Sequence, residues 1–559
     1  MNAAVYHDYN VHPFAAGKHA QEENVIDFTF IASGAEAGPI WGRSLLAPLA
    51  PGALTPFTAS WLTEVAARAW RLYYGRLDFD LTPRTQVVRL YAGHPYLNLT
   101  LAATLDAENA GVTPPSFRVD GQDRPLVLWE KPGFLAGMKL NRGAKKIDDT
   151  LRALMQELPA ITAKAATWHT RVAGLHWSQA EVLQIMEEIE HVGAAALLPY
   201  FAARHNLETA YHRLHGWLGA HTGPAADALI VRALGKTTTV ELELAQHVAH
   251  LGQRAAAEPA VRAWLAASHF EDWATTLPSG AFATDLHEFL AHYGQRGLHE
   301  GEIAAPRWAE APDALLVAIR ACTQDAVPPI AASPADPQPL LTAIDAKHRK
   351  EAQQIIEQMR TLLTLQSGAL HAAAYILAGT RRWALAAGRE ALVDQRITTL
   401  DDIFFYAVEE VKEMMTGEWN VSDRSAIHAT AVERRQALAA QRHTPPADLL
   451  WGDRAATRQS SGLPAALGAA EGDIVSEDAL AALSAGAIVL RQQPESAAAI
   501  LLPAASAFVT AEGSPLDPLC TCARSLGRPG VVAARTLLAT FASSGRVAVD
   551  GTLAKVTIL

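Results

Sequence analysis

The chain has 559 residues, with 47 Lys plus Arg against 58 Asp plus Glu and a formal net charge of -11. Half of the residues are hydrophobic and 19% are charged, which excludes overall disorder and supplies a large core. At roughly 100–200 residues per domain the length suggests three or four structural units, and the acidity argues against a protein that coats a nucleic-acid backbone.

The first twenty residues lack the apolar core of a signal peptide. No uninterrupted run of about 18 apolar residues occurs, so no membrane partner is expected. Three cysteines, Cys322, Cys520 and Cys522, are too few for a disulfide framework and fit a reducing cytoplasm. Cys520-Thr-Cys522 has no second Cys or His cluster nearby. It reads as small buried hydrophobes, and no metal site is expected.

In chain order, Pro51–Trp61 reads as a loop running into a helix over 61–75, capped by Thr58 or Ser60. Residues 86–101 predict two short extended segments around a Gly93-His-Pro turn. From about 145 to 270 apolar positions recur at three and four, as at Leu151, Leu154, Met155 and Leu158, predicting long helices. A helix over 284–295 gives way to an irregular segment, 296–308. Helices resume at 340–392 and 400–415. Residues 442–472 are rich in Pro, Gly and Ser and read as a linker. Beyond them short β-type runs at 487–490, 507–510, 531–533, 546–549 and 555–559 alternate with Ala-rich helical stretches. Asp550-Gly551 is a hairpin signal between the last two runs. The expected fold is a mainly α large domain with a few β-strands over 1–441, the linker 442–472, and a small C-terminal α/β domain over 473–559.

Three clusters carry chemistry. Glu188-Ile-Glu-His191 places Glu and His on one helical face, as carboxylate-bridged metal sites require. No second copy accompanies it, so a solvated face with ion pairs is the better reading. The segment with His287, His292, His299, Glu302, Arg307 and Trp308 gathers charge in irregular backbone between helices. Such loops often carry function, although a buried Arg–Glu network tying two helical layers fits equally. Gly93–Asn98 and Thr55–Trp61 put aromatics beside Asn, His and Thr, which suits a small-molecule pocket or an ordinary core edge. No phosphate-binding loop, dinucleotide fingerprint or nucleophile elbow occurs.

Together these segments resemble one family. Thr55-Pro-Phe-Thr-x-x-Trp61, Gly93-His-Pro-Tyr-Leu-Asn-Leu99, Tyr293-Gly-Gln-Arg-Gly through Gly301-Glu-Ile-x-x-Pro-Arg-Trp308, and Ile397-Thr-x-x-Asp-Asp-Ile-Phe-Phe405 resemble motifs of the phosphoenolpyruvate-synthase-like dikinases, in their rifampin phosphotransferase and phenylphosphate synthase branch. The 293–308 signature is the most specific. The resemblance implies an ATP-binding part, a helical acceptor-binding part and a small swivelling domain whose histidine ferries phosphate. No segment here has the marks of the ATP-binding part. Thr510 through Val532 aligns without a gap to the swivelling-domain motif, and Pro518 stands where its histidine would stand. Ser514 breaks the glycine pair, and no histidine follows His443. Proline has no nucleophilic side chain, so this chain alone is not expected to relay phosphate.

The resemblance therefore implies a substrate-binding subunit of a dikinase-type phosphotransferase acting on a hydroxyl-bearing small molecule, with phenols among the candidates. The chain itself would bind no cofactor. A separate ATP-grasp-like, phosphohistidine-bearing partner would supply ATP and Mg. Glu302, His299 and Arg296 are the implied catalytic residues, with Glu302 or His299 as base and the arginines holding phosphate oxygens. Arg307, Trp308, Trp61, Tyr96, His94 and Asn98 are the implied substrate contacts, expected to share one cavity. A non-catalytic binding protein and a different reaction in the same pocket stay open, because fold does not fix function.

Overall fold

The computed structural model describes residues 25–30, 38–50, 52–119, 122–127, 134–174, 179–218, 224–267, 270–324, 334–417, 424–452, 454–458, 462–538 and 545–559. The N-terminal residues inspected for a signal peptide lie outside these. The fold is mainly helical, with two sheets.

Four helices build the main core. Pro56–Arg76 begins at Thr55, whose hydroxyl accepts the Thr58 backbone N–H, with Pro56 at the first helical position. The cap is thus Thr55, upstream of the expected Thr58 or Ser60. Proline suits that position because the N–H it lacks would have no partner there. Phe134–Ala173 and Gln179–Leu218 are 40 residues each, and Arg349–Val393 is 45. The last is apolar around most of its circumference because the other helices surround it. By length and composition it is apolar enough to cross a membrane, yet 83% of its most apolar stretch is buried inside the protein, as in a core helix. Glycines set its close approaches: a Cβ on Gly379 would lie 2.4 Å from Cζ3 of Trp168, and one on Gly368 would lie 2.6 Å from Leu158.

The first sheet has eight strands, in the order Val88–Tyr91, His94–Asn98, Ile40–Gly42, Leu449–Trp451, Arg454–Arg458, Val25–Phe30, Ser116–Val119 and Gln122–Pro125. The second has seven, in the order Lys555–Ile558, Arg546–Asp550, Ala469–Val475, Ile488–Arg491, Ala507–Thr510, Gly530–Val532 and Leu463–Ala466. The expected hairpin closes as read: Asp550 pairs with Lys555, and the Asp550 carboxylate accepts the Thr552 and Leu553 N–H groups, both at 2.9 Å.

The expectation of an open linker over 442–472 is corrected. Leu449–Trp451 pairs with Ile40–Gly42, Arg454–Arg458 pairs with Val25–Phe30, and Leu463–Ala466 and Ala469–Val475 enter the second sheet. Turn-rich composition hid strands whose partners lie hundreds of residues away. The C-terminal unit does not stand apart either. Its apolar residues Ala497–Leu502, Leu519, Cys520 and Cys522 share one core cluster with Leu244, Val248, Phe289 and Trp308.

Candidate functional site

The irregular segment 296–308 is placed by its own carboxylate. Glu302 accepts hydrogen bonds from the backbone N–H of Thr55 at 2.8 Å, the Thr55 hydroxyl at 2.9 Å, the Thr58 hydroxyl and its neighbour Ala304 N–H at 2.8 Å. Its two oxygens are thereby committed to the start of the Pro56–Arg76 helix, near the positive end of that helix's dipole. The residue expected as a base is a buried anchor. Both of its oxygens are spent on protein donors rather than directed at a ligand.

His299 is not positioned as a base either. Its Nδ1 lies 2.9 Å from Glu495 and its Nε2 2.7 Å from Glu477, and its backbone N–H donates to Glu495 at 2.9 Å. Glu495 foremost, with Glu477, pushes the ring up to about 10 against the opposing effect of burial. The ring is therefore an imidazolium at neutral pH, with both nitrogens donating. Burial works against the Glu495 charge, but Arg491 and His299 outweigh it and hold that carboxyl at about 2. These three residues bring potential metal-ligand atoms within 4.8 Å of one another. Arg491 bridges both carboxylates at 3.3 Å, so positive charge already occupies the acidic side. The arrangement is an ionic clasp between the 296–308 segment and the C-terminal unit.

Arg296 and Arg307 behave differently from that clasp. Arg296 is fully buried and forks onto Glu300 at 2.5 and 2.7 Å and onto the Ser496 hydroxyl at 2.7 Å. Its Nη1 has no partner. Arg307 is 2% exposed. Among the described residues its one hydrogen bond runs from Nη2 to the Glu302 carbonyl at 3.4 Å, and its Nε and Nη1 are buried without partners. Burial lowers its pKa to about 10. A buried N–H left unpaired costs roughly 1–3 kcal/mol, more on a charged group, and such groups in native folds call for an explanation.

The side chains around these donors come from helices. On Arg349–Val393, His371, Tyr375 and Arg382 recur at four and seven and so share one face. The Tyr375 ring meets His371 at 5.3 Å and His169 at 5.7 Å between centroids, and its hydroxyl donates to the His292 carbonyl at 3.4 Å. His371 falls to about 3, through burial first and then Arg296 and His292. His169 falls to about 4, through burial first and then Arg382 and Arg307. Both imidazoles are neutral at pH 7, and His371 Nδ1 and His169 Nε2 are buried without partners. Arg296, His371, Tyr375, His169 and Arg307 thus form an arc of positive charge and spare polar atoms. Its chemistry suits an oxyanion or phosphoryl group.

The other expected contacts lie elsewhere. Trp308 is buried against Phe289 and belongs to the shared core. Trp61 packs over Gly193 in the main core. Tyr96 is buried and donates to the Ala447 carbonyl at 2.9 Å. Asn98 caps the Leu99–Ala110 helix through Leu101 N–H at 2.9 Å. Burial, then Arg43, lowers buried His94 to about 4. The three segments do adjoin, through Thr55 with Glu302 and through Leu54 N–H to the Gly93 carbonyl at 2.9 Å. They meet through these hydrogen bonds, while Trp61, Tyr96, Asn98 and Trp308 engage protein partners away from the arc. Glu188 pairs with Arg171, and His191 bonds Arg68 at 2.8 Å, which is the ion-paired face that the sequence favoured. His371, Tyr375, His169 and Arg382 were missed because they sit in regular helix, where function was not sought. The four-residue spacing of His371 and Tyr375 was the signal available.

Pro518 opens the Pro518–Leu526 helix, with Asp517 as its N-cap. The Asp517 side chain makes no capping hydrogen bond; it accepts Ser514 N–H at 2.7 Å and pairs with Arg204 at 2.6 Å. Both members of the pair are buried. Gln366 donates to the Leu516 carbonyl at 3.1 Å, and Ser525 exchanges hydrogen bonds with the Thr237 backbone at 3.1 and 2.9 Å.

Residues 196–390 match the family model described as the rifampicin phosphotransferase fourth domain, which covers Arg204, the arc residues Arg296, Arg307, His371 and Tyr375, and most of the long helix. Residues 483–553 match the mobile domain of PEP-utilising enzymes. The chain is similar to PEP-utilising phosphotransferases. One such relative, the rifampicin phosphotransferase of Streptomyces sviceus, is 27% identical over 384 residues, covering 62% of this chain and 42% of its own length. The chain therefore aligns with less than half of that relative. All of the arc except His169 lies within the fourth-domain match, and Pro518 lies within the mobile-domain match.

Proposed function

We propose that this chain is the acceptor-binding component of a PEP-utiliser-type phosphotransferase and that its arc holds the phosphoryl group, or the anion it becomes, during transfer to a hydroxyl-bearing small molecule. The observation that carries this reading is Arg307, a buried guanidinium with two unpartnered nitrogens inside the fourth-domain match. An anion there would convert an uncompensated cost into charge-assisted bonds. Neutral His371 and His169 each retain a free ring nitrogen that would hold the acceptor hydroxyl by a hydrogen bond. At about 3 and 4 their rings are too weakly basic to take its proton at neutral pH. Pro518 carries no phosphate, so the phosphohistidine, ATP and Mg would come from an ATP-grasp-like partner chain. A phenolic acceptor fits the aromatic side of the arc at Tyr375.

A second reading draws on the docked C-terminal unit. The Arg204–Asp517 pair fixes the helix start where a phosphoryl-carrying histidine would stand, which favours a ligand-binding protein without catalysis. Incubation with ATP labelled at the β or γ position distinguishes what the chain does alone. No label is expected on it. Acid-labile, base-stable label would overturn the proposal that the relay lies in a partner. Phosphorylated acceptor formed only when a phosphohistidine donor protein is added would favour the first reading over the second.

A further inference from the structure

A two-lobed groove lies between Phe134–Ala173 and Gln179–Leu218, with Pro56–Arg76 and Ile376 of the long helix bordering one lobe. One lobe, of about 690 Å³, is bordered by Trp168, Thr167 and Val192. The other, of about 590 Å³, is bordered by Leu72, Ile161, Val192, Leu198 and Ile376. Both volumes lie in the range of small-molecule sites. The lobes share Val192 and Lys164, so they are continuous. The exposed alanines Ala163 and Ala195 form lips that leave each lobe open.

The charges around the groove are nearly all matched. Arg76 pairs with Glu157 at 2.8 Å, Arg171 pairs with Glu188, and Arg68 pairs with Glu190 at 3.2 Å. Arg71 donates to the Pro83 carbonyl at 2.9 Å. Lys164, where the lobes join, has no carboxylate partner among the described residues. A largely apolar trough with one uncompensated cation at its centre selects a specific kind of ligand: a hydrophobic ring system with a single negative charge. A neutral ring would leave Lys164 unmatched, and a polyanion would meet Glu157 and Glu188.

We infer that this groove binds a flat aromatic monoanion, with its anionic group on Lys164 and its ring against Trp168 and Val192. The inference needs no phosphoryl transfer. Trp168 and Ile376 are chain neighbours of His169 and Tyr375, so the groove and the arc share two helices while presenting different residues.

The probes are 1-anilinonaphthalene-8-sulfonate, an aromatic monoanion, and its uncharged counterpart N-phenyl-1-naphthylamine, each titrated into the full chain by fluorescence. Saturable binding of one sulfonate per chain is expected. Lys164→Gln should weaken the sulfonate at least tenfold and leave the neutral probe unchanged. Ala195→Trp, which fills one lobe from an exposed position, should weaken both. Arg307→Leu should affect neither, which separates this site from the arc. Thermal unfolding of the Lys164 and Ala195 variants should match the parent, since both positions are exposed. Non-saturable sulfonate binding, or equal binding by the parent and Lys164→Gln, would overturn the inference. An equal loss for both probes in Lys164→Gln would also overturn it, because the charge would then not be what is recognised.

Discussion

Arg204 and Arg307 are both buried arginines, and their surroundings treat them in opposite ways. Arg204 sits between Asp517 at 2.6 Å and Glu208 at 3.0 Å. Burial opposes its charge, but those carboxylates outweigh burial and raise its pKa. Arg307 has a single long hydrogen bond to a carbonyl, and burial lowers its pKa. The first is a rivet across the contact with the C-terminal unit. The second feels the charges of Glu300, Glu310 and Glu302 but keeps two nitrogens without hydrogen-bond partners among the described residues. Burial alone does not separate structure from function; the state of each donor does.

The contrast breaks most visibly in stability. Arg204→Leu leaves Asp517 buried and unpaired, which should cost about 3–5 kcal/mol and appear as a large drop in melting temperature. Glu302→Gln keeps the shape but weakens acceptance from Thr55 and Thr58. It should cost about 1–3 kcal/mol while phosphate binding stays intact; loss of binding at parental stability would instead restore Glu302 to the site. Arg307→Leu should change stability by less than about 1 kcal/mol, because its hydrogen bond to the Glu302 carbonyl is long and two of its buried nitrogens are unpaired among the described residues. It should abolish any stabilisation by added phosphate.

A finer contrast comes from His299. Its pKa rises from 6.5 in the unfolded chain to about 10 in the fold. The stabilisation it lends is complete below pH 6.5 and fades as pH climbs through 10. The melting-temperature gap between the parent and His299→Gln should therefore shrink from pH 7 to pH 10. A gap that stays constant would mean that the ring is not held as an imidazolium. The half-exposed side chain makes this the smallest expected effect.

Much of this architecture was legible in the chain. The strands at 88–98 and from 488 onward, the helix before Gly294 and the hairpin at Asp550 follow from local signals: periodicity and turn residues. The pairing of Leu449–Arg458 with strands near the N-terminus was not legible, because its Pro- and Gly-rich surroundings describe turns while the sheet is completed from distant sequence. The 296–308 segment was singled out correctly as irregular and charged. Its individual roles were not readable. Whether Glu302 faces solvent, a substrate or Thr55 depends on the Pro56–Arg76 helix arriving beside it. His371 and Tyr375 stayed hidden for the complementary reason: within a regular helix, only the packing of neighbouring helices decides which face becomes a site.

The central claim is that Arg307 is unpaired because it awaits an anion. Calorimetric titration of the purified chain with inorganic phosphate, for the parent, Arg307→Leu and Arg204→Lys, tests it most directly. Saturable binding by the parent, retained in Arg204→Lys and weakened at least tenfold in Arg307→Leu, is the expected result. Phosphate binding that is equal in the parent and Arg307→Leu, or absent from the parent, would contradict it.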